Sequence, residues 1–319
     1  MTQWPPRPSL SPGFYKGHGL GNDYLVFEEG EGWLATPENI RLVCDRQRGL
    51  GSDGIVVLLQ DGENTQEAEA AQPGIRGPRP DFRLRMFNPD GGEFERSGNG
   101  LRILASYLAR GSRASGSFEV RVGGDDVGLT LHGRAGPVHD VSVAMGRART
   151  GPAAVGLDES VLAGDGSFPG PDGERLDVVP VSVGNPHLVV VADGSAERFS
   201  EDRLGELGPF MSVHAALREG ANMQLARPVG ADRCEALVWE RGVGRTSASG
   251  TSACAVAVAL VSSGRMAPGQ VAVQMPGGVL TVGVTPELDV VLRGPVEEVC
   301  DGRLSAELVH SIRDGADGR

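Results

Sequence analysis

Nine consecutive residues, Ala253 to Val261, are all apolar or small. A helix that is apolar on every side has no face to offer to water, so such a segment must be wrapped by the rest of the fold. It opens on Ser249-Gly250-Thr251-Ser252, and a segment 152 residues earlier has the same plan. There Ser97-Gly98-Asn99-Gly100 runs into LRILASYL, and setting Ser97 on Ser249 puts Ala105 on Ala257 and Leu108 on Leu260. In this first copy Leu101, Leu104, Ala105 and Leu108 recur at helical spacing, and Ile103 and Tyr107 widen the apolar face. Two buried helices, each embedded among short strands, restrict the chain to an α+β fold of two pseudo-symmetric domains. Each domain is expected to be a mixed, barrel-like sheet wrapped around one central helix.

Length agrees: 319 residues suit two domains of the usual ~100–200 residues. So does the composition, because 48 glycines with only 5% aromatics fit a turn-rich sheet protein better than a helix bundle. The expected boundary is near residue 135, at Gly133 to Pro137, giving domains 14–135 and 136–302 with a C-terminal helix at about 303–319 returning to the first. Phe14 to Phe27 reads as strand, glycine turn, strand, and Thr36-Pro37-Glu38-Asn39 as a helix start. Strands are expected at Ile55 to Leu59, Phe82 to Phe87, Val138 to Met145, Leu176 to Val183 and His187 to Val191. Others are expected at Cys234 to Trp239, Val271 to Met275 and Val279 to Val284, with a last helix at Ser305 to Ile312. The proline-rich residues 1–13 read as a flexible lead-in, and residues 60–80, which lack apolar periodicity, as an exposed loop or disordered insertion.

Several function classes fall away. A net charge of −12 argues against a nucleic-acid binder. No apolar run approaches the roughly 20 residues of a membrane span, and the N-terminus lacks the apolar core of a secretory signal. The four cysteines, Cys44, Cys234, Cys254 and Cys300, have neither CxxC nor metal-ligand spacing and read as reduced thiols of a cytoplasmic protein. Lys16 is the only lysine, so a pyridoxal enzyme would have to build its Schiff base there. No cofactor and no metal are expected; a homodimer stays open.

Chemistry concentrates at the two helix starts. A helix N-terminus presents unpaired N–H groups and attracts a carboxylate or phosphate, and Gly98-Asn99-Gly100 and Gly250-Thr251 would let a ligand approach that backbone. Alternatively, Ser97 and Ser249 are simply N-caps, for which serine is among the best residues. Polar turns follow apolar strands in both halves: Gly21-Asn22-Asp23 has a counterpart in Gly184-Asn185-Pro186-His187. Asn88-Pro89-Asp90-Gly91 precedes the first serine; Asn222 opens a strand; Glu240-Arg241 precedes the second serine. Each alone is ordinary turn punctuation or a solvated pair. Together they supply the amide, carboxylate, guanidinium and imidazole groups that would suit an amino acid.

Four motifs, in this order and spacing, resemble the diaminopimelate epimerase family: HGLGNDY, FNPDGGEFERSGNG, VGNPH and WERGVGRTSASGTSACA, with PGGVL near residue 277 fitting too. The resemblance covers about residues 14–312. It implies two pseudo-symmetric domains with a cleft between them and cofactor-independent epimerisation of LL- and meso-diaminopimelate. In that family one cysteine thiolate removes the α-proton and an opposing thiol reprotonates the other face. The resemblance places those two positions at Ser97 and Ser249. It implies that Asn22, Asn88, Asn185, Asn222, Glu240 and Arg241 hold the substrate, Arg241 by pairing with its distal carboxylate. Gly98, Asn99, Gly250 and Thr251 would bind the α-carboxylate, and His187 and Glu240 would flank the two catalytic positions.

The departures bear on rate. A thiol with pKa near ~8.5 costs roughly 2 kcal/mol to ionise at neutrality, which a helix N-terminus can offset. A serine hydroxyl lies far beyond that range and needs an adjacent base. Arg245 stands where the family usually has an acid and Ser252 where it usually has glycine. The expected activity is an impaired or altered epimerase. Alternatives are a dehydratase or other isomerase working with a single base, His187 or Glu240, or a non-catalytic amino-acid-binding relative.

Overall fold

A computed structural model describes residues 6–60, 81–94, 96–192, 195 and 197–314, the last by its backbone only. Most of the segment expected as an insertion, residues 61–80, lies outside the described residues. The chain forms two compact units, one running to Val143 and resuming at Val296, the other Ala144–Pro295. Each is a mixed sheet with helices on both faces.

In the first unit β1 (Ser9–Gly19) and β2 (Asn22–Glu29) form an antiparallel hairpin, followed by β3 (Trp33–Leu34) and α1 (Pro37–Cys44). Thr36 caps α1, its hydroxyl accepting from Asn39 N at 3.3 Å, and Pro37 sits in the first turn, where its missing N–H costs nothing. β4 (Ile55–Leu58) joins β2 in parallel, and β5 (Phe82–Phe87) and β6 (Glu93–Phe94) continue antiparallel. Then come α2 (Gly98–Arg110), β7 (Ser117–Val122) parallel to β5, and the hairpin partners β8 (Asp125–Ala135) and β9 (Val138–Arg147).

The second unit opens with β10 (Arg149–Thr150), α3 (Pro152–Val155), β11 (Phe168–Pro169) and β12 (Arg175–Leu176). It then repeats the plan of the first. The hairpin is β13 (Val178–Ser182) and β14 (Pro186–Val191), followed by α4 (Glu201–Ser212). β15 (Asn222–Pro228) joins β14 in parallel, and β16 (Arg233–Glu240) and β17 (Gly244–Thr246) continue antiparallel. α5 (Gly250–Ser262), β18 (Gly269–Met275) parallel to β16, β19 (Gly278–Val284) and β20 (Asp289–Arg303) complete it. The pairing sequence antiparallel, parallel, antiparallel, antiparallel, helix, parallel, antiparallel is the same in both units. α6 (Ala306–Asp314) packs in the first unit, where Asn39 Nδ2 donates to Ile312 O at 3.0 Å.

The central helices are buried as the sequence pattern requires. Every residue from Ala253 to Leu260 is fully inaccessible, as are Leu101, Ile103, Leu104, Ala105 and Leu108. At 1.5 Å per residue the 13 residues of α5 span ~20 Å, short of a bilayer core. No helix among the described residues is long and apolar enough to cross a membrane. The opposite face of each sheet carries a second core, Leu10, Phe27, Trp33, Ile40 and Ile312 in one unit and Leu188, Met223, Leu225, Leu207 and Met211 in the other.

Two expectations are corrected, and one helix was not expected. Ser9 to Gly13 are not part of a flexible lead-in but the start of β1, pinned because Leu10 is fully buried in the outer core. The boundary lies after Val143 rather than at 135, because β9 stays hydrogen-bonded to β8 through Val143; the return to the first unit begins at Val296, inside β20. α4 has no counterpart in the sequence-based expectations. Gly205, Gly208 and Pro209 interrupt its pattern, yet Ser200 caps it and Leu204, Leu207 and Met211 bury one stripe. Gly208 is there for packing, since a Cβ would lie 2.4 Å from the Trp239 indole.

Candidate active site

In the first unit Ser97 is the N-cap of α2, its Oγ accepting from Gly100 N at 3.1 Å. The N–H groups of Gly98 and Asn99, in the first turn of the helix, have no intrahelical acceptor. A Cβ at Gly100 would approach Met86 Cε to 2.4 Å and the Tyr24 ring to 3.2 Å, so glycine is what brings this turn against β2. Asn99 Nδ2 donates to the backbone and side-chain oxygens of Asn22, each at 2.7 Å, and Asn99 Oδ1 accepts from buried Arg102 at 2.9 Å. Asn22 Nδ2 donates to Asp53 Oδ2 at 2.9 Å. Arg46 holds both Asp53 and Asp23, and Lys16 pairs with Asp23 at 2.9 Å. Burial works to raise the Asp23 carboxyl, but the bonds from Arg46 and Lys16 outweigh it and hold it below the usual range. Asn88 sits exposed in the turn after β5.

In the second unit Ser249 is the N-cap residue of α5 by backbone conformation, with Ala253 N donating to its carbonyl, but its hydroxyl makes no cap bond. The N-cap reading therefore holds in full for Ser97 and by backbone position only for Ser249. Ser97→Ala is expected to lower stability by about 1 kcal/mol, the usual worth of a cap, and Ser249→Ala by less than half that, read from urea melts. Equal losses would contradict the asymmetry.

Asn185 Oδ1 bonds His187 Nε2 at 2.9 Å, and His187 Nδ1 bonds Gln224 Nε2 at 3.0 Å. His187 is fully buried, which pushes its pKa down to about 3. Asn222 Oδ1 accepts from Arg241 N at 2.9 Å, the Arg241 guanidinium donates to Glu219 O, and Glu240 Oε1 accepts from Thr246 Oγ1 at 3.0 Å. Arg245 pairs with Glu201 in the first turn of α4 at 2.7 Å, which gives a local role to an arginine at that position. Thr251 and Gly250 form the first turn of α5.

A common pattern runs through both halves. Asn22, Asn185 and Asn222 are half-buried, and the carbonyl oxygen of each is tied to a protein donor. One amide hydrogen of Asn22 and both of Asn185 and Asn222 have no protein acceptor among the described residues. In each unit the first-turn N–H groups of the central helix add further donors, α2 in the first and α5 in the second. Sequence reasoning missed Asp53, Arg102 and Gln224. The signals were a charged residue in an otherwise buried helix and an amide two residues beyond Asn222 in an apolar strand. Three of the four thiols offer no substitute base: Cys44, Cys234 and Cys254 are buried, and burial pushes Cys44 and Cys234 up to about 12, while Cys300 is exposed on β20. Among the described residues no three His, Cys, Asp or Glu side chains gather as a metal site would need.

The architecture is shared with solved epimerases and relatives. A hydroxyproline epimerase from Agrobacterium vitis, solved with trans-4-hydroxy-L-proline, matches with TM-score 0.60 at 15% identity, covering 92% of each chain. A phenazine biosynthesis protein from Bacillus anthracis matches with TM-score 0.60 at 12% identity over 92% of this chain and 98% of its own. The family is given by sequence. The diaminopimelate epimerase model matches residues 14–151 and 179–299. A diaminopimelate epimerase from Desulforudis audaxviator is 37% identical over 91% of this chain and 98% of its own, and one from Thermosynechococcus vestitus 34% identical over 92% and 100%. The chain belongs to the diaminopimelate epimerase family.

Proposed function

We propose that the chain is a pyridoxal-independent isomerase that binds diaminopimelate or a closely similar diamino-diacid and exchanges its α-proton slowly. The observation that carries the reading is the set of tied asparagines, Asn22, Asn185 and Asn222, which offer N–H donors beside two helix starts. An α-amino diacid has the two carboxylates to use them. The helix-start N–H groups at Gly98, Asn99, Gly250 and Thr251 would take the α-carboxylate, with Asn88, Glu240 and Arg241 completing the ligand's shell. Asn99 would contribute by its backbone, because its side chain is committed to Asn22 and Arg102.

Slowness follows from the two proton-transfer positions, Ser97 and Ser249. Neither hydroxyl ionises near neutrality, and Ser97 Oγ is already engaged as a cap acceptor. The single-base alternative through His187 is disfavoured, because both ring nitrogens are bonded inside the fold and the ring is inaccessible. Incubation with LL- and meso-diaminopimelate in deuterated water tests the reading. Binding with slow deuterium incorporation at the α-carbon is expected; rapid incorporation would show that serine does not disable the site.

A further inference from the structure

We infer that Gln224 is a positioning residue, fixing the tautomer of His187 and, through that ring, the orientation of the Asn185 carboxamide. Gln224 is fully inaccessible in the middle of β15, between Met223 and Leu225, which face the outer core. Strand alternation turns it the other way, towards α5. A carboxamide buried among apolar residues needs partners, and Nε2 has two: His187 Nδ1 at 3.0 Å and Ser252 Oγ at 3.0 Å. Its Oε1 has none among the described residues, so in this arrangement the amide is held through Nε2 alone.

The consequence runs outward. With Nδ1 accepting, the single proton of the neutral ring must sit on Nε2, where it donates to Asn185 Oδ1 at 2.9 Å. With Oδ1 tied, the Asn185 amide nitrogen is the atom left to meet a ligand. Deep burial keeps the ring neutral, in keeping with one tautomer.

The first unit holds its asparagine by other means. The offset of 152 that sets Ser97 on Ser249 sets Gly100 on Ser252, and the Gly-Asn turns set Tyr24 on His187. Gly100 leaves room for the Tyr24 ring, and Asn99 and Asp53 hold Asn22. In the second unit the smaller imidazole leaves room for the Ser252 hydroxyl, and Gln224 bonds both. Ser252 thus belongs with Gln224 in a device that joins the first turn of α5 to the Asn185 turn.

The functional half of this inference rests on the reading of Asn185 as a ligand donor, so the test has two arms. In the first, ring 15N shifts of His187 are assigned with His187→Gln. The wild type is expected to show the Nε2–H tautomer at neutral pH. In Gln224→Glu a carboxylate faces Nδ1, so the proton is expected to move to Nδ1 or the ring to become imidazolium. In the second arm meso-diaminopimelate binding is measured by calorimetry. Gln224→Met is expected to bind roughly tenfold more weakly, the scale of freeing one ordered side chain. An Nδ1–H wild type, or a tautomer indifferent to Gln224→Glu, overturns the positioning role. Unchanged affinity in Gln224→Met overturns its link to the ligand. If the wild type does not bind meso-diaminopimelate at all, the site reading fails, and the shifts alone decide the tautomer claim.

Discussion

Replacing Ser97 and Ser249 together by cysteine is expected to raise α-proton exchange on LL- and meso-diaminopimelate by roughly a hundred- to ten-thousand-fold, the usual worth of a well-matched acid–base group. The argument is one of ionisation. A thiol near pKa ~8.5 needs only ~2 kcal/mol to ionise at pH 7, and the first-turn N–H groups of α2 and α5 face the two positions with the positive end of a helix. Both helices present that end without a competing acidic residue in the first turn. Each single variant supplies one base without its opposing acid, so each should allow some exchange from one face and little net inversion. Ser97→Cys also replaces the cap oxygen bonded to Gly100 N, so it should lose a little stability where Ser249→Cys does not. Deuterium incorporation and optical rotation, followed in parallel, separate exchange from inversion. A double variant that binds diaminopimelate but gains no exchange would mean that positions 97 and 249 do not act on the ligand's α-proton.

Much of this was legible in the sequence, for physical reasons that also explain the gaps. The buried helices announced themselves because a nine-residue apolar run cannot face water. The strands around them followed from short apolar alternations. The repeat of the whole pairing order in the two units was not legible, because parallel partners such as β2 with β4 and β14 with β15 are separated by a helix and register leaves no local trace. α4 was hidden by Gly208 and Pro209, a glycine required by the Trp239 ring and a proline that reads as a break. The asparagines could be found as turn residues next to strands. What they do depended on which of their atoms were already bonded, and that rests on Asp53, Arg102 and Gln224, distant in sequence from the turns they brace. His187 shows the limit most clearly. Alone, an imidazole beside a polar turn reads as a structural histidine, and the family resemblance makes it a flanking group; its zero exposure and its two bonds favour the neutral strut.

That burial has a consequence for acid stability. His187 titrates near 6.5 when unfolded and near about 3 when folded, chiefly because burial disfavours the charged ring. Between those values the unfolded chain holds a proton that the native chain does not, so stability falls as pH falls. The contribution is complete above pH 6.5, is lost progressively below it, and levels off near pH 3, with a slope on the order of 1.4 kcal/mol per pH unit. Other groups also titrate in acid, and Asp23, held below its usual range by Arg46 and Lys16, adds its loss only as pH falls through the carboxylate range. The comparison that isolates the ring is with His187→Gln, which cannot titrate. At pH 7 the variant should be the less stable, by about 1–3 kcal/mol, because Gln224 and Asn185 lose a buried partner. Urea melts at pH 7, 6, 5 and 4 should then show the gap closing and reversing as the wild type alone pays for keeping its imidazole neutral. A gap that stays constant across that range would mean that His187 takes up its proton without unfolding, and the neutral strut, with the tautomer it fixes, would have to be given up.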